Sequence, residues 1–333
     1  MVKKYKKINK KIKSNLKVQR SRLGIWIFLE VVLCVILFSF FPESIFAGAG
    51  ENNVTVITNL TVGNVFPEFT NLTIEDNSSN VALIPNSTKK IYCSGLATDY
   101  NGWNDISYGW GEFFDNSNSL YGEEDDNNIH YTNSSCTIDE ESMYSAWINC
   151  SFDVWYYANY GTWNCTLFAN DTKGREGSGD DTIIISSLLA LGLPDSINYG
   201  EVNLTEVSLE NITNVTNYGN VKINLSLSGY GFKPEDGNAM NCTLGSIKNI
   251  SIEHEKYNLT DSNEGILDLS QFIANYTNLT SFPKVKEFNL DYRQNDTYNE
   301  AINSTYWRIY LPAGVSGECM GNIVFGAVQA PED

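Results

Sequence analysis

Three side chains with oxygen ligands lie close together in the sequence around a predicted turn at Asn101–Gly102: Asp99, Asn101 and Asp105. Carboxylate and amide oxygens are the ligands that Ca²⁺ prefers, and a calcium site needs about six to eight of them. The acidic run 123–126 could supply others. The spacing differs from the EF-hand loop, and Asp and Asn also occupy turns for backbone reasons. We predict Asp99, Asn101 and Asp105 as candidate calcium ligands, and no other cofactor.

Catalytic signatures are absent from the sequence. His254 stands in I-E-H-E, without the second histidine of a zinc-protease motif, and His130 follows the acidic run in a predicted solvated loop. There is no G-x-S-x-G elbow, phosphate loop or dinucleotide fingerprint. A glycosidase with two carboxylates stays open as an alternative, because acidic residues are plentiful. The prediction is a protein that is not an enzyme.

The cysteines indicate disulfide bonds. Cys34 lies in an apolar run, where it is a small hydrophobic residue, and six cysteines follow it. An even number of cysteines in an exported region predicts a disulfide framework. Zinc would need closely spaced pairs such as C-x₂-C, and the sequence has none.

The N-terminus carries an export signal. Ten of the 22 Lys and Arg residues lie in the stretch 3–22, and the apolar run 23–41 follows directly. This order of basic and apolar segments is typical of a signal peptide or a signal anchor. Cleavage after Ala47–Ala49 would release a secreted protein, whereas retention would leave one transmembrane helix in the cell membrane with the rest of the chain outside.

The exported part is acidic and rich in glycosylation sequons. Beyond residue 47 it has 12 basic against 38 acidic residues, which excludes nucleic acid as a partner. It contains twenty N-x-S/T triplets, roughly threefold more than its composition alone predicts. This excess predicts a glycoprotein. The predicted glycosylation sites include Asn71, Asn86, Asn133, Asn203, Asn224, Asn258 and Asn303.

The pattern of the exported part predicts an all-β protein. Short alternating runs rich in Val, Ile, Thr, Tyr and Trp recur between clusters of Asn, Gly and Asp, as in antiparallel β-sandwiches. We predict two tandem Ig-like sandwiches preceded by one N-terminal hydrophobic helix. The predicted segments are a basic region 1–22, the signal or transmembrane helix 23–49, a polar leading segment 50–80, and sandwiches at 81–190 and 191–333.

The first sandwich resembles PKD-type Ig-like domains. Their pattern A-x-D-x-x-G…Y-x-W-x-F is carried here by Ala97, Asp99, Gly102, Tyr108, Trp110 and, one place late, Phe113. The later pattern G-x-Y-x-V-x-L-x-x-x-D-x-x-G is carried by Gly161, Trp163, Cys165, Leu167, Asp171 and Gly174, with Trp for Tyr and Cys for Val. The resemblance implies that Cys93 and Cys165 bridge the two sheets and that Trp110 packs on this bridge, as the strand-C Trp does in Ig domains.

With that pair assigned, the resemblance leaves Cys136 to bond with Cys150 across a hairpin, and Cys242 to bond with Cys319. The second sandwich is similar to the Ig-like modules of the abnormal-spindle/hydin type and of the galactosidase-associated type. The likeness is carried by Y-G-E-V at 199–202, by V-T-N-Y-G-N at 215–220 and by a C-terminal segment, 306–329, that resembles the closing hairpin of those modules.

Two functions follow as expectations. The first is a non-enzymatic cell-surface glycoprotein, of the kind found on archaea with AT-rich genomes, with an adhesive, envelope-structural or partner-binding role. The alternative is a secreted carbohydrate-binding module or accessory domain that stacks sugars on exposed aromatic rings. The first sandwich is rich in such residues: Trp103, Trp147, Trp155, Tyr156, Tyr157, Tyr160 and Trp163. Strand alternation predicts that about half of them are buried.

Overall fold

The computed structural model of the chain describes residues 55–297 and 301–331. The predicted signal or transmembrane helix at 23–49 lies outside these residues. The chain divides into a unit Met1–Val62 and a unit Gly63–Asp333, and the described residues of the first unit form no helix or strand. None of the helices in the described ranges has the length and apolar character needed to cross a bilayer.

The first two sheets of the second unit face each other as a sandwich with the strand order of an Ig domain. One sheet has the order β1-β3-β7-β6, with β1 Glu68–Ile74, β3 Thr88–Thr98, β7 Ser145–Trp155 and β6 Thr137–Glu140. The other has the order β2-β9-β8-β4-β5, with β2 Asn80–Val81, β9 Glu176–Ile185, β8 Gly161–Asp171, β4 Ile106–Asp115 and β5 His130–Asn133. Strand β1 shows that the predicted polar leading segment contributes an edge strand.

The core of this sandwich is apolar and crossed by a disulfide bond. Alternate residues of β3 and β8 point inward, which buries Ile91, Cys93 and Cys165 together with Trp163. The Cys93–Cys165 bond joins the two sheets and closes a segment of 72 residues. By loop-closure entropy such a bond stabilises the fold by about 4 kcal/mol. Cys136 is bonded to Cys150 and staples the hairpin β6–β7. The predicted disulfide framework is confirmed.

Trp110 does not pack on the disulfide bridge, so this expectation was wrong. Its ring stacks on Phe168, with centroids 4.0 Å apart, and its Nε1 donates to Glu176 at 3.3 Å. Neighbouring residues of a strand point to opposite faces, and Gly111 rather than Trp110 faces the core. A Cβ added at Gly111 would lie 2.8 Å from the Cδ2 of Leu167 and 3.0 Å from the Sγ of Cys150, which belongs to the other disulfide bond of this sandwich. Core aromatic packing comes instead from Trp163.

The second sandwich consists of two five-stranded sheets. One has the order β10-β11-β18-β15-β16, with β10 Leu191–Gly192, β11 Asn211–Asn217, β18 Ile302–Ile309, β15 Glu255–Asn258 and β16 Thr277–Asn278. The other has the order β14-β13-β19-β12-β17, with β14 Asn249–Ser251, β13 Asn238–Gly245, β19 Val315–Gln329, β12 Ile223–Tyr230 and β17 Lys284–Leu290. The helix α1, Leu269–Asn275, connects β15 and β16, and buried Trp307 lies at the centre of the core.

The last two strands do not form the predicted closing hairpin. β18 pairs with β11 and β15, whereas β19 pairs with β12 and β13 in the opposite sheet. Pro312 between them has no N–H for a ladder, and Gly314 adopts a φ of 99°, so the chain leaves one sheet and crosses to the other. The Cys242–Cys319 bond therefore links two paired strands of one sheet, β13 and β19.

Candidate functional site

Three carboxylates meet where β3 ends, β4 begins and β8 ends. Asp99 follows β3, Asp105 closes a single helical turn before β4, and Asp171 is the last residue of β8. One carboxylate oxygen of each lies within 4.8 Å of the other two. Asp99 and Asp171 are buried, and Asp105 is half-buried. The Ig topology brings these residues together because it places β3, β4 and β8 with their loops at the same end of the sandwich.

The hydrogen bonds of the three carboxylates are unequal. Asp171 accepts from the backbone N–H groups of Lys173 and Arg175, at 2.7 and 2.8 Å, and from the side chain of Asn64. One oxygen of Asp99 accepts from the N–H of Asn101 at 2.8 Å. The other oxygen, Oδ2, is buried and accepts no hydrogen bond from any residue in the described ranges.

Burial and hydrogen bonds act on the pKa values of Asp99 and Asp171 in opposite directions. Burial raises the pKa of Asp99, and the neighbouring charges of Asp105 and Asp171 raise it further, against the opposing hydrogen bond from Asn101. Burial also acts on Asp171, but its hydrogen bonds from Arg175, Asn64 and Lys173 outweigh that effect and lower its pKa. Three carboxylates with one buried, unpartnered oxygen form a site that a cation would stabilise.

The structure adds one carboxylate to the predicted ligands. Asp99 and Asp105 lie together, and the Oδ1 of Asn101 accepts from the N–H of Val65 at 2.8 Å. Asp171 joins Asp99 and Asp105. It is the last residue of β8 and begins the D-x-x-G segment, so its position at a strand end was the available signal. All three groups offer hard oxygen ligands, which suit Ca²⁺ rather than zinc.

His130 lies in a buried polar cluster, so its predicted solvated position was wrong. Its Nδ1 is 2.9 Å from the Oγ of Ser119, and its Nε2 is 3.6 Å from an oxygen of Glu112. All three residues are at least 95% buried, beneath the loop that connects β4 to β5. Glu112 also accepts from the N–H of Gly122 at 2.9 Å, which fixes that loop. The cluster contains the residue types of a hydrolase triad, and the Ser119 side chain in it is only 4% exposed.

The predicted glycosylation sites differ in exposure. Asn71, Asn86, Asn203 and Asn303 are exposed, and Asn133 and Asn258 are half-buried. Asn224 is only 9% exposed, and its Oδ1 accepts from the backbone N–H groups of Phe288 and Asn289 at 2.9 and 3.1 Å. This side chain holds β12 to β17 and is the least exposed of the seven predicted sites.

Comparisons with known proteins identify no family. No family model matches the chain, and no curated protein matches it. Among solved structures, a chaperone–tip adhesin complex of CFA/I fimbriae is 12% identical over 75% of this chain and 78% of that one, with a TM-score of 0.27. A carbohydrate-binding module of the β-sandwich superfamily is 11% identical over 81% of this chain and all of that one, with a TM-score of 0.24.

The C-terminal domain of the Streptococcus agalactiae AgI/II polypeptide BspA is 10% identical over 79% of this chain and all of that one, with a TM-score of 0.22. These chains are β-rich proteins, but the scores are too low for any of them to inform the function of this chain.

Proposed function

We propose that the chain is a non-enzymatic cell-surface glycoprotein whose two sandwiches form a stiff spacer for a partner-binding surface. Its N-terminal run would tether it as a single-pass membrane protein, or be removed near Ala49 to release it. The partner would be a surface protein or a glycan. The finer assignments belong to the same proposal: a PKD-type first sandwich, a second sandwich of the abnormal-spindle/hydin or galactosidase-associated type, and an archaeal source.

The observation that carries this proposal is the junction between the sandwiches. The loop between β17 and β18 contacts the end of the first sandwich through Asp296, which accepts from the hydroxyl of Tyr157 at 2.8 Å and from the amide of Asn127 at 2.7 Å. The guanidinium of Arg293 lies 4.9 Å from the ring centroid of Tyr157, and its backbone carbonyl accepts from Asn128 at 2.9 Å. These directional contacts restrict rotation of one sandwich against the other.

A second set of contacts joins the sandwiches through the turn between β11 and β12 of the second sandwich. Asn220 is fully buried, and its Nδ2 donates to the carbonyl of Ala158 in the first sandwich at 3.0 Å. The ring of Tyr218 meets that of Tyr156 edge to face, with centroids 5.8 Å apart. The junction is therefore held on two sides, which is what a spacer needs and what a flexible linker lacks.

Limited proteolysis tests this proposal. No disulfide bond joins the two sandwiches, so a cut in the connection between β9 and β10, residues 186–190, would separate them on a non-reducing gel. A spacer resists cleavage there until the whole chain unfolds, and D296A speeds cleavage. If the wild-type chain releases two folded fragments at low protease concentration, the two sandwiches are a flexible pair and the spacer proposal is wrong.

We also propose that the clustered carboxylates Asp99, Asp105 and Asp171 bind Ca²⁺ at the other end of the first sandwich. The supporting observation is the buried Oδ2 of Asp99, which lacks a donor among the described residues. Asn64 and Val65 contact this end, at Asp171 and Asn101, where the chain enters the sandwich. A bound cation would therefore fix the segment that leads into β1.

The rival proposal is a carbohydrate-binding module, and the outer face of the sheet containing β3 and β7 favours it. Tyr92 on β3 is 55% exposed, and Trp155 on β7 is 36% exposed. Trp147, on the same face of β7, is half-buried and donates to Glu141 at 3.0 Å. Rings on one flat face can stack on sugars. Affinity electrophoresis in polysaccharide gels tests this: retardation of the wild type, lost in W155A, would support the rival.

A further inference from the structure

A groove in the second sandwich runs beneath the segment 193–202. It has two adjoining lobes, with volumes of about 370 and 580 Å³. Ile197, Tyr199, Met240 and Met320 line both lobes, so the two form one continuous groove. The combined volume of the two lobes suits a small organic molecule. The methionine side chains are flexible and polarizable, and they adapt to aliphatic ligands.

Glu255 lines the smaller lobe and is 1% exposed. Its Oε1 accepts a hydrogen bond from the hydroxyl of Tyr199 at 2.9 Å. Its Oε2 is buried and accepts none from any residue that the structure describes. Burial raises the pKa of Glu255 to about 7, against the opposing hydrogen bond from Tyr199. A buried carboxyl that is half ionised at neutral pH favours a ligand that brings both a hydrogen-bond donor and a positive charge.

The surrounding charges agree with a cationic ligand. The described residues that line the two lobes include no Lys, Arg or His, whereas Asp195 lines the smaller lobe and Glu201 and Glu318 line the larger one. The basic neighbours of Glu255 in the sequence face elsewhere: His254 packs on Tyr310, and Lys256 donates to Asn278. An anionic ligand would meet only like charges in this groove.

We infer that the groove binds a free primary alkylamine, with its ammonium on the Oε2 of Glu255 and its aliphatic chain along Ile197, Met240 and Met320. A primary ammonium donates hydrogen bonds, whereas a quaternary ammonium cannot, so the unpartnered oxygen distinguishes the two. A single carboxylate also offers too few oxygens for a divalent cation, which separates this site from the clustered aspartates. This inference does not depend on the proposed spacer or surface role.

Calorimetric titration of the full chain with n-hexylamine, hexanol and tetramethylammonium tests the assignment. We expect hexylamine to bind at least tenfold more tightly than the other two, because the hydrogen bond to Glu255 is assisted by charge. E255Q keeps the shape of the side chain and should lose at least tenfold in affinity for hexylamine. E253Q is the matched control, since Glu253 is exposed nearby and does not line the groove. Equal affinities for hexylamine and hexanol would overturn the inference.

A second measurement needs no variant. Ammonium binds the ionised form of Glu255, so hexylamine should bind about tenfold more tightly at pH 8 than at pH 6. In the chain labelled with ¹³C at glutamate carboxyls, hexylamine should lower the pKa of Glu255. Titration with a blocked lysine amide tests whether the amine comes from a peptide. If the blocked lysine binds more tightly than hexylamine, the ligand is a lysine side chain of a peptide and the free alkylamine is the wrong assignment.

Discussion

Two buried carboxyl oxygens lack hydrogen-bond donors in the described part of the chain, one in each sandwich, and their surroundings differ. The Oδ2 of Asp99 faces the carboxylates of Asp105 and Asp171 at the end of the first sandwich. In Glu255, Oε1 accepts from one hydroxyl, that of Tyr199, and Oε2 accepts from none among the described residues. Aliphatic side chains line the groove beside this carboxyl group. The number of carboxylates in each site determines which ligand it favours. A site with three carboxylates favours a multivalent hard cation, and a site with one favours a proton or an ammonium group.

The largest expected effect is the pH dependence that Glu255 gives to folding. Its pKa is raised from 4.5 to about 7 in the folded chain, so the folded state holds the proton more tightly than the unfolded state. The stability that this proton contributes is complete below about pH 4.5 and is lost as the pH rises to about 7. A pKa shift of this size changes the free energy of unfolding by on the order of 3 kcal/mol.

E255Q removes this titration. Urea unfolding of the wild type and E255Q at pH 4 and pH 8 should therefore show that the variant gains about 3 kcal/mol relative to the wild type across that range. E253Q, which changes an exposed neighbour, should follow the wild type. Parallel pH profiles for wild type and E255Q would mean that Glu255 is ionised in the folded state, and the contrast with Asp99 would disappear.

The next effect is stabilisation by Ca²⁺ at the clustered aspartates. A ligand at a hundred times its Kd stabilises the folded state by about 2.7 kcal/mol, which thermal unfolding with and without Ca²⁺ would detect. D99N should abolish the response, because it removes the charge of the buried oxygen at the centre of the cluster. D180N on β9 changes an exposed carboxylate and should keep the full response. A response that survives in D99N would place the cation elsewhere.

The strand pattern predicted both sandwiches because alternation and turn residues act locally. The cysteine pairing also followed, since the resemblance placed Cys93 and Cys165 on facing strands, and the structure has that bond. The sequence did not predict the path of the chain after Ile309, because contacts with distant strands determine whether two consecutive strands pair with each other. β18 and β19 are consecutive and lie in different sheets.

The candidate sites were predicted less well, for a related reason. Asp99 and Asp105 are near each other in the sequence, and both lie in the cluster, but Asp171 reaches it only through the pairing of β4 with β8. The burial of His130 depends on the loop that covers β4, and that of Glu255 on a segment more than fifty residues earlier. Local pattern does not encode such burial.

Asp296 at the junction offers a third carboxylate, and it sharpens the comparison because both of its oxygens have donors. Y157F deletes one donor and should destabilise the chain by about 1–2 kcal/mol, since a hydrogen bond to a charged acceptor is lost. Calorimetric unfolding measures this. Y92F, which removes an exposed hydroxyl from the same sandwich, should change little. If the two variants lose equally little stability, Asp296 is not held by Tyr157 and the junction is weaker than the geometry indicates.

The smallest effect concerns Asn101, beside the cluster. Its Oδ1 accepts from the N–H of Val65, and its own N–H donates to Asp99, so only the side-chain contact is lost in N101A. The variant should lose less than about 1 kcal/mol, as is usual for an exposed hydrogen bond, and should keep its response to Ca²⁺. The comparison with D99N identifies the ligands. Ca²⁺ should raise the unfolding temperature of N101A as much as that of the wild type, and should leave that of D99N unchanged. If N101A loses the response to Ca²⁺, the amide oxygen of Asn101 is a ligand of the cation, and the loop must turn inward when the cation binds.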